Sequence, residues 1–504
     1  MTLSLLLEMA AAGSDPERAA VVSDGRSVTT TELDTWATRA AGFLRGSHIR
    51  HVAYVGTGGL AMPLLLFGCA RAGLPFTPVN YRLGAAAVRE LVERLPDPLV
   101  VADAEYAEVV RGAGKQVVDT AVFLSLTRVH SQPPEPAAPD PEDVAVVLCT
   151  SGTTARPKAV QLTHGNLTEY VMGTVDFASA EPGDAMLICV PPYHIAGVGA
   201  ALTNLYAGRT MVYLPRFDPG EWIRLVREQA VTNATVVPTM LDRIVTRLST
   251  APADLPTLRT LAYGGAKASL PLVRRTMELL PHVGLVNAYG LTETSSTIAV
   301  LTPEDHRTAA TATDPAVARR LRSVGRAVPG VELQIRDAAG NPLGPGVPGE
   351  LYVRGRQVSG RYEELGSTLD AEGWFPTKDL AEIDAEGYLF LGGRADDTII
   401  RGGENIAPAE LEDVLVEHPA VREVAVVGAP DPEWGQIIVA VVVPAPDSEP
   451  DPEALRDHVR SVLRGSRTPD RVVFRTELPV TATGKVLRRE LVADLTPADA
   501  EETV

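Results

Sequence analysis

Cysteine is scarce: Cys69, Cys149 and Cys189 are the only three in 504 residues, each within apolar sequence. Three scattered thiols exclude a disulfide framework and lack the paired spacing of a zinc site, so they read as reduced core residues. Basic side chains are also in deficit, 46 against 64 acidic, for a formal charge of −18. That balance excludes nucleic acid as a general partner and leaves room only for a local basic pocket that takes a small phosphate compound. No stretch reaches the roughly 18 uncharged apolar residues of a membrane span. The opening "MTLSLLLEMAAAG" has no basic segment ahead of its apolar patch, and Glu8 and Met9 interrupt it, so it reads as a surface-packing helix rather than a signal peptide. A cytoplasmic location is the resulting expectation. No internal repeat is evident.

What the chain has is 45% hydrophobic residues, 43 glycines and 40 prolines, the make-up of a loop-rich soluble globular protein. Its length exceeds one ordinary core, so two or more packed units are expected. Short apolar runs recur between helical stretches: "HVAYVG" from His51, "PLVVAD" from Pro98, "DVAVVLCT" from Asp143 and "DAMLICV" from Asp184. This alternation predicts largely parallel, buried sheets. A Pro-rich acidic connector, "SQPPEPAAPDPEDV", ends where one of those strands begins. From about Ser323 the texture changes to β-prone runs between Gly/Pro turns, as in a small antiparallel barrel or sheet. After Arg394 it alternates again, with helices predicted over 408–417 and 452–463 flanking the strands "EVAVVGAP" and "QIIVAVVVP", enough for a second domain.

The densest chemistry lies in "LCTSGTTARPKAV", residues 148–160. A strand leads into Thr150, Ser151, Gly152, Thr153 and Thr154, whose hydroxyls and backbone N–H groups suit phosphate oxygens, with Lys158 as a point charge. It is not a Walker A loop, which places Gly before the Lys and a hydroxyl after it; here Pro157 precedes and Ala159 follows. Alone, such a cluster is more often an ordinary surface turn.

Further motifs accompany it: "YGGAKAS" at Tyr263, "NAYGLTET" at Asn287, "SVGRAVPG" at Ser323, "GELYVRG" at Gly349, "GWFPTKDLAEID" at Gly373, "GYLFLGGRADDTIIRGGENIAPAELE" at Gly387 and "PVTATGKVLRREL" at Pro479. With the loop they resemble, in order and over nearly the whole chain, the adenylate-forming superfamily of acyl-CoA synthetases, peptide-synthetase adenylation domains and luciferase-like enzymes. The resemblance implies an α/β fold: a large N-terminal domain of two parallel-rich αβ subdomains plus a small β-barrel, over 1–393, a hinge at 394–397, and a smaller mobile α+β lid over 398–504. It also implies two half-reactions. A carboxylate attacks the α-phosphorus of ATP and expels pyrophosphate; a thiol, usually that of coenzyme A, then displaces AMP. Neither step needs an enzyme nucleophile, so positioning and charge neutralisation carry the rate.

Residue roles follow from the same resemblance. The hydroxyl loop and Lys158 match the contacts to the β- and γ-phosphates, Thr292 the α-phosphate donor, and Glu293 the Mg²⁺ ligand, a hard oxygen for a hard cation. Tyr289, Gly290 and the stretch Gly264, Gly265, Ala266 match the adenine-binding surfaces, where glycine lets backbone approach a ring. Asp379 matches the ribose-binding acid, with Arg394 beside it; Lys485 matches the adenylation lysine, Asp396 the hinge, and Gly402 and Gly403 the glycines that make room for pantetheine. His194 resembles a histidine near the carboxylate, although a satisfied core histidine fits its surroundings as well. Tyr193, Gly197, Thr239, Met240 and Tyr263 are the weaker candidates for lining the acyl pocket.

Three positions depart from the pattern: Ala155, Ala159 and Lys378 stand where the superfamily commonly has glycine. A Cβ at a position that needs positive φ costs of order 1 kcal/mol, so either the turns are reshaped or these sites do not require it. The expected partner is a small carboxylic acid, aliphatic or aryl, with a carrier-protein thiol, an amine or an unusual oxyanion reaction as alternatives to coenzyme A, and a lapsed nucleotide-binding protein as the non-enzymatic alternative. Monomer and homodimer both fit the sequence.

Overall fold

A computed structural model describes residues 1–13, 18–111, 113, 116–129, 139–150, 157–446, 448–463, 465–481 and 484–495. The loop residues Ser151, Gly152, Thr153, Thr154 and Ala155, and most of the Pro-rich connector, lie outside them.

Two large sheets organise the N-terminal part. In one, Ala19–Ser23, Thr210–Tyr213, Ala185–Ile188, Asn233–Val236, Thr260–Gly264 and Gly284–Leu291 run parallel, extended at the edges by antiparallel strands to nine. In the other, Val144–Thr150, Phe76–Pro78, His51–Val55, Pro98–Ala102 and Gln116–Asp119 are parallel, and Lys158–Thr163 returns antiparallel to Val144–Thr150. The apolar runs are buried on both faces, as parallel strands between helix layers require. Met186 and Ile188 join the same cluster as Val52 and Tyr54 of the other sheet. Their neighbours Ala185 and Leu187 face a second cluster, and Ala53 and Val55 a third. The central core therefore sits between the two sheets. The opening helix Leu3–Gly13 buries Leu3, Leu6 and Leu7 there completely.

The small β unit is a four-stranded antiparallel sheet of Val331–Arg336, Gly349–Gly355, Phe375–Ile383 and Leu389–Arg394. The C-terminal α+β domain pairs Val421–Asp431 with Gly435–Pro444 and adds Arg471–Phe474. Its valine runs alternate strictly: Val426, Ile438, Ala440 and Val442 pack with helices Pro408–Leu415 and Pro452–Val462. Val427, Val439, Val441 and Val443 pack with Leu491 of helix Arg488–Leu495. Period-two alternation thus supplies two cores from one sheet. No helix among the described residues is long and apolar enough to cross a membrane.

Of the positions that depart from glycine, Ala159 lies in regular strand, paired with Cys149, and needs no unusual backbone. Lys378 has φ of 64°, the left-handed region that a Cβ disfavours. Its ammonium reaches Glu350 at 3.1 Å across an exposed surface. Lys378→Gly is expected to stabilise the fold by ~1 kcal/mol from backbone relief, less a few tenths for the exposed ion pair. Urea unfolding monitored by far-UV circular dichroism checks the sign.

Candidate active site at the strand ends

The candidate residues converge because parallel sheets present their functional loops at the carboxyl ends of the strands. Thr150 ends Val144–Thr150; Tyr193 and His194 follow Ala185–Ile188; Thr239 follows Asn233–Val236; Gly264 ends Thr260–Gly264 and Tyr289 lies near the end of its neighbour Gly284–Leu291. The register pairs Gly264 with Ala288, and a Cβ on Gly264 would stand 2.2 Å from the Ala288 carbonyl oxygen. Gly265 follows with φ of 80°. These two glycines are demanded by close approach and by the turn.

Asp379 is the electrostatic centre. The antiparallel register sets it opposite Arg394, whose Nη1 donates to Oδ1 at 3.0 Å. Tyr289 Oη donates to Oδ2, and the Asp379 amide donates to Thr377 Oγ1 at 3.1 Å. Burial nevertheless holds the Asp379 carboxyl above its ordinary pKa, against the lowering pull of Arg394, the Tyr289 hydroxyl and the Lys485 ammonium. Burial, reinforced by the Asp379 charge, pushes the Tyr289 phenol well up, so it stays a donor. A costly buried carboxylate with three cationic or donor neighbours is an arrangement that functional sites favour.

Lys485 reaches this centre from the C-terminal domain. Its turn is closed by three hydrogen bonds: Thr481 N–H to the Lys485 carbonyl at 2.8 Å, Gly484 N–H to the Thr481 carbonyl at 2.9 Å, and Lys485 N–H to Thr481 Oγ1 at 3.0 Å. Gly484 has φ of 75°, and a Cβ there would lie 2.7 Å from Thr239 Cγ2. Thr239, exposed on the first turn of helix Pro238–Thr250, is therefore a docking contact for the lysine turn. Farther along the interface Lys267 Nζ meets Asp413 at 2.6 Å, and Arg322 pairs with Glu417.

Thr292 and Glu293 form a short 3₁₀ turn, Thr292–Thr294. The Glu293 carbonyl accepts from Ser359 and Gly360 N–H at 2.9 and 3.3 Å. Its carboxylate Oε1 accepts from Tyr362 Oη at 2.8 Å, and Oε2 has no hydrogen-bond partner among the described residues. A half-buried carboxylate with one oxygen tied and the other available suits a hard divalent cation. Gly290 is fixed by packing, since a Cβ would fall 1.7 Å from the Ser296 carbonyl oxygen. Lys158 starts strand Lys158–Thr163, and its Nζ lies 5.7 Å from the Tyr362 ring centroid.

His194 caps helix Ile195–Ala207, and burial, with the Arg82 charge, lowers its pKa to about 4, so the imidazole is neutral near pH 7. Tyr193 lies between His194, tilted at 46°, and Tyr81, edge-on at 76°, with centroids 5.4 Å away on each side. Its hydroxyl is buried with no hydrogen-bond partner among the described residues. Gly197 is excluded from bearing a side chain by the Pro191 carbonyl, 2.5 Å from where a Cβ would stand. Met240 and Tyr263 were expected to line the pocket, but both belong to the core cluster between helices, where Tyr263 Oη meets His306 Nε2 at 2.9 Å and Met240 Sδ faces Cys189 Sγ. Their side chains point into the helix layer because strand and helix periodicity place them there.

Gly402 and Gly403, with φ of 57° and 83°, form the tip of the hairpin joining Ile399–Arg401 to Glu404–Ile406, a turn that needs positive φ twice. The Gly402 N–H donates to the Trp434 carbonyl at 2.9 Å, so in this arrangement the tip rests on its own domain. Asp396 lies in the 3₁₀ turn Ala395–Asp397, between the β sheet and that hairpin. Sequence reasoning missed Tyr362, Lys267, Asp413, Arg322 and Glu417; each is a lone residue whose partner is far away in sequence.

Residues 8–363 match the model of the AMP-binding enzyme family and residues 410–485 that of the AMP-binding enzyme C-terminal domain. A feruloyl-CoA synthase of an Amycolatopsis species is 35% identical over 94% of this chain and 96% of its own length. A fatty acid–[acyl-carrier-protein] ligase, ScoC of Streptomyces coeruleorubidus, is 33% identical over 95% and 93%. Among solved structures, the o-succinylbenzoate CoA synthetase of Bacillus subtilis, in complex with its acyl-adenylate intermediate, superposes with a TM-score of 0.84 at 28% identity, covering 96% of this chain and 97% of that one.

Proposed function

Because this chain belongs to the AMP-binding enzyme family, matched in both its large domain and its C-terminal domain, we propose that it is an AMP-forming ligase that activates a carboxylic acid with ATP and passes the acyl group to coenzyme A. The observation that carries the reading is the docking of the Lys485 turn on Thr239, with its ammonium close enough to Asp379 to lower that carboxyl's pKa against burial. One cleft then holds a cation for an attacking carboxylate and an acceptor for ribose hydroxyls.

In the first half-reaction a carboxylate oxygen bonds to the α-phosphorus and the bond to pyrophosphate breaks. Lys485 neutralises the charge shared by the incoming oxygen and the α-phosphate, and Thr292 donates to the latter. Asp379 accepts from the ribose; Tyr289, Gly264, Gly265 and Ala266 bound the adenine; Thr150, the hydroxyl loop and Lys158 hold the β- and γ-phosphates. Glu293, through its available oxygen, would hold Mg²⁺, which supplies charge neutralisation between phosphates. In the second half-reaction a thiolate bonds to the acyl carbon and AMP leaves. For this step Lys485 must withdraw: the segment 394–397, with Asp396 at its centre, is the hinge we assign, 1–393 and 398–504 being the bodies it joins. The glycine hairpin at Gly402 and Gly403 is then turned toward the cleft.

The acid we propose is aryl or alkyl. The Tyr81, Tyr106 and Tyr193 rings meet with centroids 5.1 and 5.4 Å apart beside a neutral His194, an aromatic wall that suits such a substrate, with the Arg82 guanidinium 5.9 Å from the Tyr81 centroid at its edge. Resemblance to the carrier-protein ligase supports a second reading in which the accepting thiol belongs to a carrier protein. The test is product analysis by mass spectrometry. Purified enzyme with ATP, Mg²⁺ and a panel of hydroxycinnamic, arylacetic and C6–C16 alkyl acids is given coenzyme A or a pantetheinylated carrier protein. Acyl-CoA plus AMP is the expected product pair; ADP, or acylated carrier protein alone, would replace the reading.

A further inference from the structure

Among the groups on the polyphosphate side of the cleft, one aromatic side chain touches two of opposite charge. Tyr362 lies on the two-residue strand Arg361–Tyr362, which pairs with Val160 on the edge of Lys158–Thr163. Its hydroxyl donates to Glu293 Oε1 at 2.8 Å. Lys158 Nζ stands 5.7 Å from the centroid of its ring, within the range of a cation–π contact. The same segment holds the Glu293 backbone, through Ser359 and Gly360 N–H. The neighbouring residues anchor the strand: Glu363 N–H donates to the Ala159 carbonyl at 2.9 Å, and Glu364 pairs with Arg94, which also reaches the Pro157 carbonyl at 3.1 Å. Tyr362 itself is buried, 9% exposed. No ion pair joins Lys158 to Glu293 among the described residues, although each contacts the same ring or hydroxyl.

We propose that Tyr362 is a positioning residue for the metal–polyphosphate half of the site: its hydroxyl fixes one oxygen of Glu293 so that the other is presented to the cation, and its ring engages Lys158 so that the two opposite charges do not collapse onto each other. A carboxylate released from this hydrogen bond turns freely about its side chain, and a nearby ammonium is its strongest competing partner. The first outcome removes a ligand from the metal, and the second also takes a cation from the phosphates. The inference rests on the reading of Glu293 as the Mg²⁺ ligand, so the test separates the two.

Tyr362→Phe keeps the ring and removes only the hydroxyl; Glu293→Gln is the reference. For each, the Mg²⁺ concentration giving half-maximal acid-dependent exchange of pyrophosphate into ATP is measured. Isothermal titration of ATP with and without Mg²⁺ gives the gain in affinity that the metal confers, a readout independent of turnover. Tyr362→Phe is expected to raise the half-saturating Mg²⁺ by about tenfold, the equivalent of one charge-assisted hydrogen bond, and to shrink the metal-dependent gain in ATP affinity by a similar factor. ATP binding without metal, and thioester formation from supplied acyl-adenylate, stay within about twofold, the scatter expected of sites that do not touch the changed atom. A purely structural tyrosine would lower the melting temperature and leave the Mg²⁺ dependence where it was. If Glu293→Gln shifts that dependence and Tyr362→Phe does not, the positioning role is wrong and the metal ligand stands. If neither variant shifts it, the assignment of Glu293 falls and the role of Tyr362 with it.

Discussion

Lys485→Ala is expected to cut acid-dependent exchange of pyrophosphate into ATP by about 10²–10³-fold, the loss that follows removal of a preorganised donor to developing charge. Conversion of supplied acyl-adenylate to thioester should stay within a few-fold of wild type. The asymmetry follows from where the lysine is held. Its turn belongs to the C-terminal domain and reaches the cleft only by docking on Thr239, an approach that Gly484 permits because it has no Cβ. The docked orientation is held by exposed or half-exposed ion pairs, Lys267 with Asp413 and Arg322 with Glu417. Such pairs contribute little individually, which is what the proposed withdrawal of the lysine before the thiol enters requires. Lys485→Arg should not restore exchange, because a planar guanidinium cannot replace a compact ammonium on a flexible stem. Single-turnover assays of the two half-reactions measure this directly; equal loss in both would remove the lysine from the first step.

The second large effect is at Asp379. Asp379→Ala is expected to lower kcat/KM for ATP by about 10²-fold, the equivalent of two hydrogen bonds from ribose hydroxyls to a charged acceptor at ~1.5 kcal/mol each. It also strands Arg394 and Tyr289, whose side chains lose the partner that both share. Breaking a largely buried pair in this way costs about 3 kcal/mol of stability or more. Asp379→Asn separates the two effects. Burial already raises the carboxyl pKa, so its charge is costly in the fold, and an amide of the same shape removes that cost while keeping one acceptor. The asparagine variant should therefore melt near wild type and still bind ATP weakly. Calorimetric unfolding and ATP titration on both variants measure this; tight ATP binding by the alanine variant would place the ribose elsewhere.

The legible part of this site was carried by short motifs whose residues act where they stand. Asp379 and Arg394 are 15 positions apart, on neighbouring strands of a four-stranded sheet, so one hairpin brings them together. Gly264, Gly265 and Gly290 announced close approach, and the built geometry supplies the atoms they approach. The buried runs from His51, Pro98 and Asp184 announced parallel strands, and "EVAVVGAP" and "QIIVAVVVP" the strands of the C-terminal domain, whose two cores only the structure supplies. Lys378 shows the converse: its departure from glycine was visible in the sequence, and the left-handed backbone it must adopt was not.

What escaped the sequence was the partnership of distant residues with no periodic signature. Tyr362 contributes by lying 69 residues from Glu293 in sequence and 2.8 Å from it in space. Lys267 and Asp413 are 146 residues apart and meet only because two domains dock. Thr239 and Met240 were indistinguishable as pocket residues in the sequence; helix geometry sends one to the domain interface and the other into the core. A tertiary contact of this kind leaves no local trace, since each partner is an ordinary surface or core residue of its own element.

The central claim is that a carboxylate oxygen of the substrate attacks the α-phosphorus in the cleft between Asp379 and Lys485. Isotope transfer tests it most directly: an acid accepted in the product panel, labelled with ¹⁸O in its carboxylate, is turned over with ATP and coenzyme A, and the products are weighed by mass spectrometry. One ¹⁸O atom in AMP, with none in pyrophosphate, is the expected result. Label in inorganic phosphate, with ADP as the nucleotide product, would place the attack on the terminal phosphorus and contradict the account.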